Sequence, residues 1–446
     1  MCSRCCGWRW RCLYRWRCCC GCGPAAMAVH LEGPNPVIAN WISSSSPLIA
    51  ASKSGCRDAG RSEDRMMAAA PQPGPRYYDL DALRAAAMFL LVLLHSTYFV
   101  LPDPAHRWPV LDPSVGDDPT YRILLNVSSG FLRPTFFLIS GLFSALLWQK
   151  RGLRGLGMHR LKRLGVPFFF GCVIIIPLTG LAMALTSGRQ EPFDFPFWIL
   201  PFFSIWALMH LWFLWYLMLF IGLFILLARL GLQFRNPAVW WAVIPLSAAL
   251  SLVMSEPVFG PDTVRTLLPV PAPFFHYACF FFFGAFLYQG GVSVRRWWMI
   301  ALLPAAAAFY MGDRLLRQYG SPGTIGGELS EPAFMFSNSL TLAGALFETA
   351  NAWLMCFGAM GLFNWIFSRP NFTVRYLSDA TYWMYLVHLP LVILAQWLVV
   401  SWPISYHLKF MLVCASVTAT VLITYQLFVR YTFIGSTLNG PRTRRA

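Results

Sequence analysis

The stretch 76–96, RYYDLDALRAAAMFLLVLLHS, decides the fold. Its charged residues crowd the first turns, its middle is apolar without interruption, and a single histidine, His95, sits near its far end. From residue 80 onward, apolar runs of about 17–25 residues recur, each long enough to cross a hydrocarbon core of about 30 Å as a helix. Ten are expected, near 80–101, 123–148, 164–186, 208–228, 238–254, 273–291, 297–312, 340–367, 378–400 and 408–431. The run at 297–312 is short. The aromatic stretch 193–210, FDFPFWILPFFSIWALMH, reads as an interfacial or re-entrant segment that changes the count by one. The expected fold class is all-α, a polytopic transmembrane helix bundle of about ten spans.

Composition agrees with that reading. The 446 residues are 57% hydrophobic, 16% aromatic and only 12% charged, which is not the balance of a soluble globular domain. A formal net charge of +16 would suit a nucleic-acid binder, but the bases come in short clusters between apolar runs. Lys150, Arg151, Arg154, Arg160, Lys162 and Arg163 follow span two; Arg229 and Arg235 follow span four; Arg295 and Arg296 follow span six; Arg369 and Arg375 follow span eight; Arg442, Arg444 and Arg445 close the chain. With ten spans all of them fall on one side, which the positive-inside rule makes cytoplasmic together with both termini. Asp103, Asp112, Asp117, Asp118, Asp262 and Asp313 fall on the other. The charge therefore reads as topology, the partner as a lipid bilayer and not nucleic acid. No fixed-period repeat is visible, nor a matched pair of broken helices of the kind inverted-repeat transporters carry.

Residues 1–75 read as a disordered leader or an upstream extension, with Met66 or Met67 as a natural start; 76–435 form the transmembrane domain and 436–446 a basic cytoplasmic tail. Eight of the thirteen cysteines lie in the first 22 residues. Cys2 and Cys5, like Cys19 and Cys22, have a zinc-like spacing, but the surplus cysteines and the Arg and Trp filler argue against a site. Cys172, Cys279, Cys356 and Cys414 sit alone in apolar runs as small hydrophobes. No metal and no permanently bound cofactor is expected.

Arg84 and His95 are eleven residues apart, which returns them to within about 20° of one helix face and separates them by roughly 16 Å along the axis. An ionisable group at that depth is costly and faces a cavity or a partner when it persists. Arg84 has simple explanations in a pair with Asp81 or in snorkelling. His95 lies too deep to snorkel; it is either a satisfied structural histidine or a general base, a task suited to an unperturbed pKa of about 6.5.

Five motifs in order then resemble the acyltransferase 3 superfamily of integral-membrane enzymes: the opening stretch with its Arg-x10-His spacing; FFLISGLFSALLWQKRG with Ser140 and Gly141; HRLKRLGVPFF with Arg160, Arg163 and Pro167; HLWFLWYLMLF; and YLSDATYWMYLVHLPLV ending in His388. The resemblance covers most of residues 76–435. DLDALRAAAM and SDATYWMYLVHLPLV resemble most the branch thought to succinylate periplasmic glucans. The resemblance implies a bacterial inner-membrane O-acyltransferase, with acyl-CoA supplied from the cytoplasm and the acyl group, succinyl on the branch reading, ending on an extracytoplasmic glucan or other polysaccharide. It implies that His95 is the catalytic histidine and Arg84 part of the acyl-donor path. It leaves open whether His95 only deprotonates the acceptor or also carries the acyl group.

The remaining polar residues carry two readings each. Arg160 and Arg163 are partners for a CoA phosphate or plain topology anchors. Arg133 shares a face with Ser140 and is either a clamp for a succinyl carboxylate or a snorkelling arginine. Glu348, alone in its span, needs a cation or a proton; Arg133, Arg84 and His95 are its candidate partners. His388 shares a stripe with Thr381 and Tyr385 and is expected to face inward, whereas Ser378 and Asp379 are expected to cap that helix. His210, Trp212 and Trp215 read as an interfacial aromatic belt or as a saccharide-stacking floor. The same buried groups would also serve a transporter or flippase, or an assembly protein without chemistry, which are the rival readings.

Overall fold

The computed structural model describes residues 77–101, 108–115, 118–186, 208–232, 236–254, 260–264, 266–319 and 339–440. The readings of residues 1–75, of the aromatic stretch up to 207, of Asp103, Asp117 and Arg235, and of the closing Arg442, Arg444 and Arg445 lie outside the described residues. Every regular element among the described residues is helical. In chain order they are α1 (Tyr78–Thr97), α2 (Pro119–Arg160), α3 (Val166–Phe170), α4 (Ile176–Thr186), α5 (Trp212–Arg229), α6 (Pro237–Trp241), α7 (Val243–Ser251), α8 (Pro271–Gln289), α9 (Leu302–Tyr319), α10 (Ser339–Ile366), α11 (Phe372–Val400), α12 (Tyr406–Thr424) and α13 (Phe433–Asn439).

Among the described residues eight helices are long and apolar enough to cross a membrane, against ten expected. Two local causes account for the difference. The continuous run Pro119–Thr186 is 68 residues long and holds two expected spans. Gly152 interrupts it with φ 67° and ψ 176°, a region open essentially to glycine alone. Past that point the chain turns back, because Arg160 Nη2 reaches Ser144 Oγ at 3.2 Å, whereas sixteen residues of straight helix would hold them about 24 Å apart. The expected span 238–254 is instead the short pair α6 and α7, broken at Ala242. Pro245 explains the break, since its ring excludes the carbonyl of Trp241, four residues earlier, from a helical bond. The short run at 297–312 proves longer than expected, extending over Arg296–Gln318.

Two buried clusters fill the bundle. One joins α2, α5, α8 and α10 through Phe137, Tyr216, Phe220, Phe224 and Phe281, with Phe280 stacked on Trp353 at 4.1 Å. At its centre α2 and α8 cross at backbone contact: a Cβ added at Gly141 would lie 1.8 Å from the Phe281 carbonyl oxygen, and one at Gly284 would lie 1.9 Å from that of Leu138. Small residues at such a crossing admit close helix approach where no water drives association. The second cluster joins the later turns of α1 to α11 and α12 through Met88, Val92, Met384, Val392 and Val417. Large apolar side chains such as Phe169, Phe170, Leu178 and Leu185 point outward.

Capping follows the chemistry at helix starts. Asp118 accepts from the Thr120 amide at the head of α2, and Ser405 from the Leu408 amide at the head of α12. For α11 the cap is Asn371, which accepts from the Val374 amide at 3.1 Å. The expected capping by Ser378 and Asp379 is therefore corrected: both lie within α11, whose apolar pattern is preceded by nearly two more helical turns.

Candidate active site

α1 and α11 lie side by side and run in the same direction, so that successive polar groups of one meet successive polar groups of the other. At the far end of α1, His95 donates from Nδ1 to the Leu91 carbonyl at 3.0 Å. A carbonyl only accepts, so Nδ1 holds the hydrogen of the neutral ring and Nε2 carries the lone pair. The ring is half-buried, with the His388 ring 4.9 Å away between centroids and inclined at 63°. Gln396 of α11 donates to the His95 main-chain carbonyl at 3.3 Å and accepts from Trp108 Nε1 at 2.7 Å, and Trp108 stacks on Tyr98 at 4.9 Å. An aromatic pair thus flanks the histidine.

His388 is fully buried, as the stripe with Thr381 and Tyr385 predicts. Its Nδ1 donates to the Tyr385 carbonyl at 2.8 Å, with the Met384 carbonyl at 3.1 Å, while its Nε2 has no protein partner. A third imidazole completes the group. His210 stands 5.2 Å from His388, donates from Nε2 to the Leu386 carbonyl at 3.1 Å and receives the Tyr385 hydroxyl on its main-chain oxygen at 2.5 Å. Its Nδ1 also lacks a protein partner.

The sequence reads His210 as part of an interfacial belt or a saccharide-stacking floor, but His210 and Trp212 are both buried in the bundle. A signal for this was present in Pro390. A proline has no amide hydrogen, so the carbonyl four residues earlier, Leu386, loses its helical donor. Inside a bilayer that oxygen needs a replacement. His210 supplies it. The turn that carries His210 is tight, and Met209 beside it has φ 44°, a left-handed conformation that costs an L-residue energy and persists where packing enforces it.

Toward the start of α1 a second polar group forms. Arg84 Nη1 lies 3.9 Å from Asp81 Oδ1, the local pair that the sequence suggests. Arg84 is also within electrostatic reach of Arg160 and of Tyr382 on α11. Arg160 donates to Ser144 Oγ, and Ser144 Oγ donates to the Ser140 carbonyl at 2.7 Å, so Ser140 is joined to this group through its main chain. The Tyr382 hydroxyl is buried without a protein partner and was not among the residues singled out from the sequence. Arg163 lies under the turn at Gly440, where an added Cβ would come within 2.9 Å of Nη2.

Arg133 and Glu348 belong together elsewhere. Arg133 Nη1 donates to the Pro261 carbonyl at 2.8 Å and to Thr263 Oγ1 at 2.5 Å. Glu348 Oε1 accepts from the Gly260 amide at 2.9 Å and lies within electrostatic reach of Arg133 and Asp262. Of the partners weighed for Glu348, Arg133 is the one the structure brings near. Both side chains hold the segment 260–264 against α2 and α10, and the contacts made by Arg133 Nη1 are structural ones. Among the described residues no group of three His, Cys, Asp or Glu side chains is arranged to hold a metal ion.

The family model described as an acyltransferase domain matches residues 77–426. Relatives include the glucans biosynthesis protein C of Salmonella typhimurium, 24% identical over 422 residues covering 84% of this chain and 97% of that protein. The protein of the same name from Salmonella heidelberg is 24% identical over 416 residues, 82% of this chain and 96% of its own. That of Salmonella gallinarum is 23% identical over 397 residues, with the same two shares of 82% and 96%. No solved structure matches the chain.

Proposed function

Because the chain belongs to the acyltransferase family whose model matches residues 77–426, we propose that this membrane acyltransferase moves an acyl group, succinyl in the first instance, from cytoplasmic acyl-CoA to a hydroxyl of an extracytoplasmic glucan at the bacterial inner membrane. The observation that carries the reading is the polarity of α1, with arginines gathered about Arg84 at one end and imidazoles gathered about His95 at the other. Guanidinium groups suit the phosphates of CoA, and Arg84, Arg160 and Arg163 are the donor-path residues. The lone pair on His95 Nε2 suits the acceptor hydroxyl: it takes the O–H proton as the oxygen attacks the thioester carbonyl, and the leaving thiolate receives a proton when the C–S bond breaks. The name glucans biosynthesis protein C borne by the relatives supports glucan as the acceptor class, and the stacked Tyr98 and Trp108 offer an apolar face of the kind sugar rings pack on.

The test is transfer of labelled succinyl-CoA to purified glucan by the detergent-solubilised protein. Wild type is expected to label the glucan, and His95→Ala to lose about 100-fold to 10,000-fold of the rate, the usual worth of a positioned base. A His95→Ala protein as active as wild type would overturn the assignment. Substrate flux into vesicles without turnover of the thioester would favour transport instead.

A further inference from the structure

We propose that His388 is a positioning residue for this same reaction, one that shares the proton His95 takes from the acceptor; the inference rests on the reading of His95 as base. Three observations lead to it. First, the hydrogen on each ring is located by a main-chain carbonyl: Nδ1–H of His388 on Tyr385, Nε2–H of His210 on Leu386, and Nδ1–H of His95 on Leu91. Each neutral ring therefore has one remaining nitrogen that only accepts.

Second, two of those acceptors, His388 Nε2 and His210 Nδ1, are buried and meet no protein donor. A buried polar atom left unsatisfied is costly, and native structures carry few of them without a use. His388 Nε2 and His210 Nδ1 are thus lone pairs that each lack a donor, and a proton brought to the cluster would supply one.

Third, the spacing fits. An imidazole nitrogen lies about 1.1 Å from its ring centre, so two rings joined by an N–H···N bond of about 2.9 Å have centres roughly 5 Å apart. The His95 and His388 centroids are 4.9 Å apart. No bond joins the rings while both are neutral, because both nitrogens are then acceptors. When the acceptor O–H breaks and its proton moves to His95 Nε2, a small tilt lets that N–H donate to His388 Nε2. The proton rests between the two rings until the C–S bond breaks, and then goes to the sulfur. No further reactant is needed. Other titratable groups recorded around the pair are His210 ahead of α5, Tyr98 beyond the end of α1, and Tyr385 on α11.

The experiment is steady-state transfer of labelled succinyl-CoA to glucan across pH by wild type, His388→Leu and His388→Gln, with unfolding midpoints of all three recorded in detergent. Leucine removes the lone pair and keeps the bulk; glutamine restores a carbonyl acceptor. We expect His388→Leu to lose about ten- to a hundredfold in kcat, to keep the glucan KM within twofold, and to move the acid limb of the rate profile to lower pH, because the charged form of His95 is no longer shared. His388→Gln should recover at least half of the lost decades. A folded His388→Leu with wild-type kcat and pH profile overturns the inference. So does a raised KM at constant kcat, which would make His388 a substrate-binding group, or a loss that glutamine does not repair with the profile unmoved, which would make it packing alone. If wild type transfers no label, the proposed function fails and takes this inference with it.

Discussion

At the scale of single residues, the site is built from side chains that hang on main-chain carbonyls. His95, His388 and His210 each spend one ring nitrogen on such a carbonyl, which fixes ring orientation without a carboxylate partner. The first two were legible in the sequence because an ionisable group in an apolar helix has no cheap reason to be there. His210 and Tyr382 were not, since one opens a span among aromatics and the other is one tyrosine among many; only the pairing of helices reveals what they face. Arg133 shows the converse. Depth and helical phase put it on the face of Ser140, but its Nη1 donates to the Pro261 carbonyl, Thr263 and the Tyr277 hydroxyl. Arg133→Ala is accordingly expected to lower succinyl and acetyl transfer in equal proportion, together with the unfolding midpoint, in parallel assays with the two thioesters. Selective loss of succinyl transfer would return Arg133 to the role of carboxylate clamp.

At the scale of elements, periodicity located the long helices, while proline and glycine decided where they broke. Pro245 accompanies the break of an expected span at Ala242, where the Trp241 carbonyl loses its helical donor. Pro390 leaves α11 whole because His210 fills the vacancy at Leu386. Pattern alone does not distinguish these two prolines, since the difference lies in what another segment brings. The start of α11 was misjudged for a related reason: Ser378 and Asp379 have capping chemistry, but Asn371 has it too and precedes the whole helix. Gly152 permits the clearest test. A methyl group there would touch nothing, so Gly152→Ala reports backbone cost alone. Destabilisation of about 1–3 kcal/mol is expected from forcing alanine into that conformation, read by denaturant unfolding in detergent, with kcat little altered in the fraction that folds.

At the scale of the whole molecule, two tethers and one crossing set the form of the bundle. Lys409 on α12 lies 2.9 Å from Asp112 Oδ2, both side chains almost wholly buried, and donates to the Val400 carbonyl at 2.7 Å, binding the segment 108–115 to the turn between α11 and α12. Burial works against the Asp112 carboxylate, yet Ser114 and Lys409 together hold it below its ordinary range. Its folded value is thus lower than its unfolded one of about 3.9, so the stabilisation is full above that pH and is lost as pH falls through the folded value. Lys409→Met should cost about 3–5 kcal/mol near neutral pH, because it strands a buried charge, and less at low pH, where Asp112 is protonated in both proteins; unfolding curves at pH 7 and pH 3 check both. At the opposite end Asn364 donates to Asp79 at 2.8 Å and ties α10 to the start of α1. Between these tethers, Gly141 and Gly284 bring two main chains together with no room for even one methyl group. That junction behaves as a welded joint. A methyl group at either glycine would have to prise α2 and α8 apart, so the block against which the helix carrying His95 packs is held rigid at its centre by main-chain contact.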